Sequence, residues 1–475
     1  MPYRSKKTMS YYLQSLYINT LNPLYRLTGK ISDSVRNCIL FVLSLIIFTY
    51  FVFKRSSVLT PTLSFFLPTT FERHVFGLVM LLLFSIISIN QPLHHVEWKK
   101  IIFIPQFLMG LGLVIIGFIH PIGLGYQTFG FMLLLVFPCL YFVWNNRRDY
   151  ALLFDIIVYA MIAANLGLFL YTFYCSTKGE LIMDGSRCTG IMGNPNGYSL
   201  VGSEMVLGAL YLFVAGQFKW PRFVLSCISA GAGLGIVFTG QMRLAIIILV
   251  LCLLSSLIFA TKYKRTKIDK RFGLHLLVGL FIIIQLTMLS VLLVPIHNTA
   301  VAVNTVAVQE TTEQTEQPAN QTATTEEPSS VVDRFSLEGK DADSFSSGRV
   351  AIWKNYAEEL NLWGHNFDDY DVDKMTGGTP GPYAHNIFLE IGYRCGVPVG
   401  LLSVFLIFVS GIMALGYLFF NKKRELYLLF PILCVISYSV NALLDIASLP
   451  FVLVETLLFY FAMIIFIDPV PGARR

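Results

Sequence analysis

Long apolar stretches alternate with short polar connectors along almost the whole chain. The stretches occupy residues 37–53, 75–89, 101–119, 127–144, 151–174, 197–215, 223–239, 244–260, 273–294, 399–420, 426–443 and 449–467. Most approach the roughly 20 residues that a helix needs to cross about 30 Å of hydrocarbon, so the pattern predicts about twelve transmembrane helices. The period-2 alternation of an outer-membrane barrel does not appear in the sequence. The expected fold class is all-α: a polytopic membrane protein with a large extracytoplasmic loop. It divides into an N-terminal transmembrane bundle of about nine helices over residues 1–294, the loop over 295–398, and C-terminal transmembrane helices over 399–475.

Composition agrees with this reading and excludes a water-soluble fold. Charged residues make up 13% of the 475 positions and the hydrophobic set 55%, and the mean hydropathy is +0.64. A water-facing surface could not be built from such a chain. The first apolar run begins too late for a cleavable signal peptide and reads as a true span.

Orientation follows from the basic residues. If the amino terminus is cytoplasmic, the inside segments carry Arg4, Lys6, Lys7, Lys30 and Arg36, then Lys99 and Lys100, Arg147 and Arg148, Lys219 and Arg222, a cluster from Lys262 to Arg271, then Lys422, Lys423 and Arg424, and finally Arg474 and Arg475. Every short inside loop is then basic, as the positive-inside rule expects, and both termini are cytoplasmic. Lys54 and Arg55, at the outer end of the first span, are the exception. Basic loops facing anionic lipid account for the net charge of +6 without any nucleic acid.

Two parts of the long loop differ in kind. Residues 304–330 form a Thr/Glu/Gln tract with almost no large apolar side chains, a composition that predicts disorder. From Ser347 and Gly348 onward, Arg349, Val350, Ile352, Trp353, Tyr356 and Leu360 show helical spacing, which predicts a short amphipathic helix lying on the bundle. A run of glycines and prolines then leads to His385 and Asn386, which close the polar loop and open directly into apolar sequence. A proton acceptor is thereby placed at the lip of a membrane bundle.

Other polar residues fall on the same outer side. Arg187 precedes a Gly-Asn-Pro-Asn-Gly turn at residues 193–197, where Asn194 and Asn196 present polar groups just before a helix begins. Arg243 starts the eighth run, and Arg349 starts the loop helix. Arginine stays charged and grips phosphate oxygens in a bidentate fork, so three guanidiniums beside one imidazole suggest a site for an anionic headgroup. Within the runs, Asp155, Glu204, Glu390, Asp445 and Glu455 are costly in lipid and should face the interior. Glu204 and Glu390 lie nearest the outer residues by sequence and are candidates to support the site or touch an acceptor. Asp368, Asp369, Asp371 and Asp373 come closest to a cation-binding pattern, but acidic loop residues are usually only solvated, and no metal or other cofactor is expected. His365 is a weaker alternative to His385. The eight cysteines show no Cys-x-x-Cys pairing; Cys175 and Cys188 share one outer loop and could pair in an oxidising compartment.

These motifs, in this order, resemble the O-antigen ligase and O-antigen polymerase superfamily. The shared features are Arg187 with its Asn-Pro-Asn turn, the arginine at the head of a span at Arg243, Gly-Arg-x-x-x-Trp at Gly348 to Trp353, and His-Asn-x-x-Leu at His385 followed by Gly396 and Gly400. The resemblance implies a GT-C-like, metal-independent, inverting glycosyltransferase of the cytoplasmic (inner) membrane that works on its extracytoplasmic face. It implies an undecaprenyl-diphosphate-linked glycan donor, a glycan or glycolipid acceptor, and cooperation with a chain-length regulator or flippase. By the same resemblance Arg187 and Arg243 hold the diphosphate and His385 activates the acceptor hydroxyl; from the residues alone, Arg349 is a further candidate for the diphosphate, and Asn194, Asn196, Asn386, Glu390 and Glu204 are candidate supporting or acceptor positions. Polymerase and ligase both fit. A polytopic transporter or flippase of a lipid-linked glycan is the alternative from another class; the sequence shows no internal repeat to favour it.

Overall fold

The computed structural model describes residues 8–56, 58–67, 69–178, 182–184, 187–215, 219–262, 279–289, 349–366, 383–420, 425–445 and 453–468. The Thr/Glu tract at 304–330 and the four aspartates between 368 and 373 lie outside them.

Each of the twelve apolar runs holds a helix. Among the described residues nine are long and apolar enough to cross a membrane: Asp33–Arg55, Lys100–Ile119, Leu124–Asn146, Ala151–Ser176, Pro195–Ala215, Trp220–Gly240, Arg243–Lys262, Val397–Phe420 and Leu426–Leu444. The other three runs contain Thr70–Ser88 and the shorter apolar helices Gly279–Leu289 and Val454–Ile467. Nine such helices, where the pattern predicts about twelve, is a difference with a clear cause at the last of these. Val454–Ile467 has 14 residues, a length of about 21 Å, and all of them are buried. It nevertheless runs from one end of the bundle to the other, with Glu455 paired to Arg55 at one end and the Ile467 carbonyl accepting from the Lys99 amide at the other.

This internal helix is the hub of the core. Phe461 lies 5.8 Å from Trp144 and 6.3 Å from Phe84 between ring centres, Tyr460 stacks on Phe137 at 4.8 Å, and Phe459 stacks on Tyr438 at 4.1 Å. Aromatic pairs at these separations add to simple area burial. Elsewhere helices meet through small residues. A Cβ on Gly202 would fall 2.5 Å from the Gly233 carbonyl, and one on Gly233 would fall 2.6 Å from that of Gly202, so the helices Pro195–Ala215 and Trp220–Gly240 cross at near-backbone contact.

Two further elements were not legible in the apolar pattern. A helix runs over Met9–Thr28, ahead of the first span, and a π-helical turn interrupts Leu124–Asn146 at Met132–Val136. Leu124–Asn146 also separates the two ends of the bundle. At one end Tyr126 donates to Glu390; at the other the Asn146 side chain accepts from His94 N–H.

Candidate active site

The loop helix forms over Arg349–Glu358. Its Ile352 and Tyr356 are buried with Leu389 and Tyr393, the Tyr356 and Tyr393 rings meeting edge to face at 5.1 Å. Leu389 and Tyr393 belong to the short helix Ile387–Cys395, a separate element ahead of the span Val397–Phe420. Asn386 is the N-cap, its Oδ1 accepting from the amides of Phe388 and Leu389 at 3.0 and 3.2 Å. Glu390 pulls the preceding loop down onto this helix by accepting from the Ala384 amide at 3.0 Å. Its other oxygen is held by Arg394 Nε at 2.6 Å and Tyr126 at 3.3 Å. Burial works against the Arg394 charge, but the adjacent Glu390 carboxylate outweighs it and raises the guanidinium above its ordinary value. Glu390 therefore braces the His385 loop from behind.

Between Ala384 and Asn386 the chain turns through His385 at φ +51°, a left-handed conformation that non-glycine residues adopt at a cost. The ring turns toward Asp445, with Nδ1 2.9 Å from the carboxylate oxygen Oδ1. His385 is 22% and Asp445 11% exposed at the side chain. An ionised carboxylate can only accept, so Nδ1 carries the proton and Nε2 presents its lone pair. Two more residues converge on the same helix end. Asn386 Nδ2 donates to the Leu443 carbonyl at 3.1 Å, and the Arg349 guanidinium donates to the Leu444 carbonyl. Leu443 and Leu444 close the helix Leu429–Leu444, whose last carbonyls lack intrahelical partners and draw cations. One helix terminus thus gathers the loop arginine, the histidine and its asparagine.

Arg187 is anchored to another helix end, three residues before Arg243 in the chain. Arg187 Nε donates to the Gly240 carbonyl at 3.2 Å and Nη2 to Asn196 Oδ1 at 2.5 Å. Gly240 ends the helix Trp220–Gly240, and after a left-handed residue at Gln241, φ +53°, Arg243 opens Arg243–Lys262. Asn194 organises the same turn, its Oδ1 accepting from the amides of Asn196 and Gly197 at 2.8 and 3.3 Å. Arg187 itself lies in the strand Arg187–Gly190, paired antiparallel with Ile182–Asp184.

The two clusters lie at one level. Cys252 on Arg243–Lys262 reaches the Leu433 carbonyl, so these helices touch near their middles, and Lys262 at the far end bonds the Phe419 carbonyl, shortly before Leu429–Leu444 begins, so the two run antiparallel. Arg243 is nine residues from that contact and Leu444 eleven, about 13 and about 16 Å at 1.5 Å per residue. Beside Asn386 a cavity of about 280 Å³ opens, lined by Asn386, Ile387, Phe388, Leu401, Val404, Ile407 and Leu443. Its wall is almost wholly apolar, and Leu401 and Leu443 are exposed on its rim.

Other candidates have different places. Glu204 is 3% exposed and bonded to Arg55 at 3.0 Å and Asn165 at 2.9 Å, and Arg55 also holds Glu455 at 2.8 Å. Arg55, the apparent exception to the basic-loop pattern, is thus a buried partner for two carboxylates. His365 stacks on Tyr393 at 4.1 Å with Nδ1 against the Tyr393 carbonyl, and acts as a strut for its segment. Cys175 and Cys188 are both buried, and burial pushes the Cys188 thiol up to about 11. Sequence reasoning weighed Asp445 only as a charge in a span. The signal that could have found its role is its position, at the end of an apolar run on the side of His385.

Residues 228–404 match the family model described as O-antigen ligase. The matched segment contains Arg243, Arg349 and His385; Arg187 and Asp445 lie outside it. No curated protein matches the chain.

Proposed function

We propose, from the match of residues 228–404 to the O-antigen ligase family model, that the chain transfers a glycan from undecaprenyl diphosphate to a sugar hydroxyl of a glycan or glycolipid acceptor, as a polymerase or a ligase. The reaction is inverting and independent of metal, and takes place on the extracytoplasmic face of the cytoplasmic membrane. The observation that carries this reading is the His385–Asp445 pair, 2.9 Å apart at the lip of the bundle, with an apolar cavity beside it.

The chemistry asks for a base and for fixed positive charge. The acceptor oxygen attacks C1 from the face opposite the leaving group, its proton passes to His385 Nε2, and the C1–O bond breaks with its electron pair going to the diphosphate. Asp445 keeps the ring in the tautomer that can receive that proton and stabilises the imidazolium that results. Arg187, Arg243 and Arg349 face the developing diphosphate charge and need no reorganisation as it forms. Asn194 and Asn196 hold the Arg187 side of this clamp, while Asn386 and Glu390 fix the His385 loop. The lipid tail enters along the apolar wall at Phe388, Leu401 and Ile407.

The test is transfer of purified undecaprenyl-diphosphate glycan in proteoliposomes with a chelator present. His385→Ala should lower turnover by about 10²- to 10⁴-fold, the usual contribution of a positioned base, and leave donor binding nearly unchanged. Near-normal turnover in that variant would sink the mechanism. A strict need for a divalent cation would move attention to Asp368, Asp369, Asp371 and Asp373.

A further inference from the structure

The helix Met9–Thr28 has three faces: one buried in protein, one polar and partly exposed, and one apolar and exposed. The protein face is built on Gln14, Tyr17 and Leu21, all buried. Gln14 pairs in both directions with Val96, donating to its carbonyl at 3.0 Å and accepting from its amide at 2.9 Å. Asn22 repeats this with Leu93, at 3.3 and 2.9 Å, and Tyr17 donates to the Leu135 carbonyl at 2.7 Å. The helix therefore lies along the connector at residues 93–96. That connector sits at the end of the bundle opposite the candidate active site, because His94 bonds to Asn146 whereas Tyr126, at the other end of the same helix, bonds to Glu390.

A second face is polar. Tyr11 stacks on His95, Ser15 bonds to it, and Asn19 and Arg26 are exposed along the same side. The third face is apolar and uncovered. Met9, Tyr12, Leu16, Pro23, Leu24 and Leu27 recur at helical spacing and are all exposed, Leu27 to 74% and Tyr12 to 60%. Thr20, on the same stripe, turns its hydroxyl back to the Leu16 carbonyl. A water-exposed helix on a soluble protein would put these residues inward.

We propose that Met9–Thr28 is an in-plane membrane helix, with this third face buried at the boundary between headgroups and acyl chains of the leaflet opposite the active site. Three observations point to lipid as the occupant. The stripe continues into the exposed side of the first span, where Val35, Val42 and Ile46 face outward. The corner between the two helices is locked by Arg36, which donates to the carbonyls of Thr28 at 2.7 Å and Ile87 at 2.9 Å, so the stripe is held at a fixed height. The flanks are cationic: Arg26 and Lys30 are exposed at one end, and Arg4, Lys6 and Lys7 precede the other in sequence. Protein on one side, water on the second and lipid on the third is the arrangement an interfacial helix requires.

Spin labels on the full-length protein in vesicles of phosphatidylcholine and phosphatidylglycerol test this. Cys38 is the exposed cysteine and the other seven are buried, so Cys38→Ser gives a background for Leu16→Cys, Leu27→Cys and, on the polar face, Asn19→Cys. Labels at 16 and 27 should collide with oxygen several-fold more than with a water-soluble nickel chelate, and the label at 19 should show the reverse. Equal nickel accessibility at 16 and 19 would place the face in water and overturn the proposal. Exclusion of both reagents at 16 would mean that protein covers it, most simply a second copy of the chain, and would overturn it equally.

Discussion

Replacing Asp445 with asparagine isolates the charge of one carboxylate and leaves its shape. Asp445 Oδ1 lies 2.9 Å from His385 Nδ1, which puts the centres of the imidazolium and carboxylate charges about 4 Å apart in the protonated state. At an effective dielectric of about 20 such a pair is worth about 4 kcal/mol. His385 is 22% exposed and Asp445 11%, so water screens part of this, and about 2 to 3 kcal/mol remains as stabilisation of the proton-accepting transition state. At about 1.4 kcal/mol per tenfold, Asp445→Asn should lower kcat by about 30- to 150-fold and leave KM for the donor nearly unchanged. The assay is initial-rate glycan transfer in proteoliposomes over a range of donor concentrations. Because Asp445 acts through His385, the double variant Asp445→Asn, His385→Ala should be no slower than His385→Ala alone. Two losses that multiply, or an Asp445→Asn enzyme within about threefold of the parent, would refute the pairing as part of the mechanism.

Two other expectations rest on different parts of the molecule. Arg187→Lys keeps a charge but loses the planar fork that reaches both Gly240 and Asn196; it should recover little of the activity lost in Arg187→Ala, with a raised KM for the donor in both. Arg55→Ala leaves Glu204 and Glu455 buried without their cation, a loss of about 3 to 5 kcal/mol by analogy with other broken buried pairs. Thermal unfolding in detergent should show a clear drop that adding Glu204→Gln and Glu455→Gln partly reverses.

What could be seen in the sequence, and what could not, divides along the range of the interactions. The apolar runs and the Asn194 turn are local: each is specified by residues within a few positions, and each is where the pattern puts it. The misreadings are of another kind. Met9–Thr28 escaped notice because Gln14 and Asn22 serve the buried contacts while leucines face outward, the inverse of the rule used to recognise a helix in a water-soluble protein. Likewise the 14-residue length of Val454–Ile467 could not be read from its apolar run, which extends over residues 449–467.

The charged residues are the most instructive case. Arg55 broke the topology rule, while Glu204, Glu455 and Asp445 stood as isolated costs within apolar runs. In the fold Arg55 pairs with both glutamates, across 149 and 400 residues, and Asp445 pairs with a histidine 60 residues away. Desolvation makes an unpaired charge in such a bundle cost several kcal/mol, so these anomalies are linked: each implies a partner of opposite sign or a proton-sharing ring. Taken together in the sequence, one arginine out of place and two glutamates in apolar runs already call for one another. Three carboxylates are left over after that match: Asp155 and Glu390 meet Arg222 and Arg394, and Asp445, at the end of a run on the side of His385, is the one that meets the histidine.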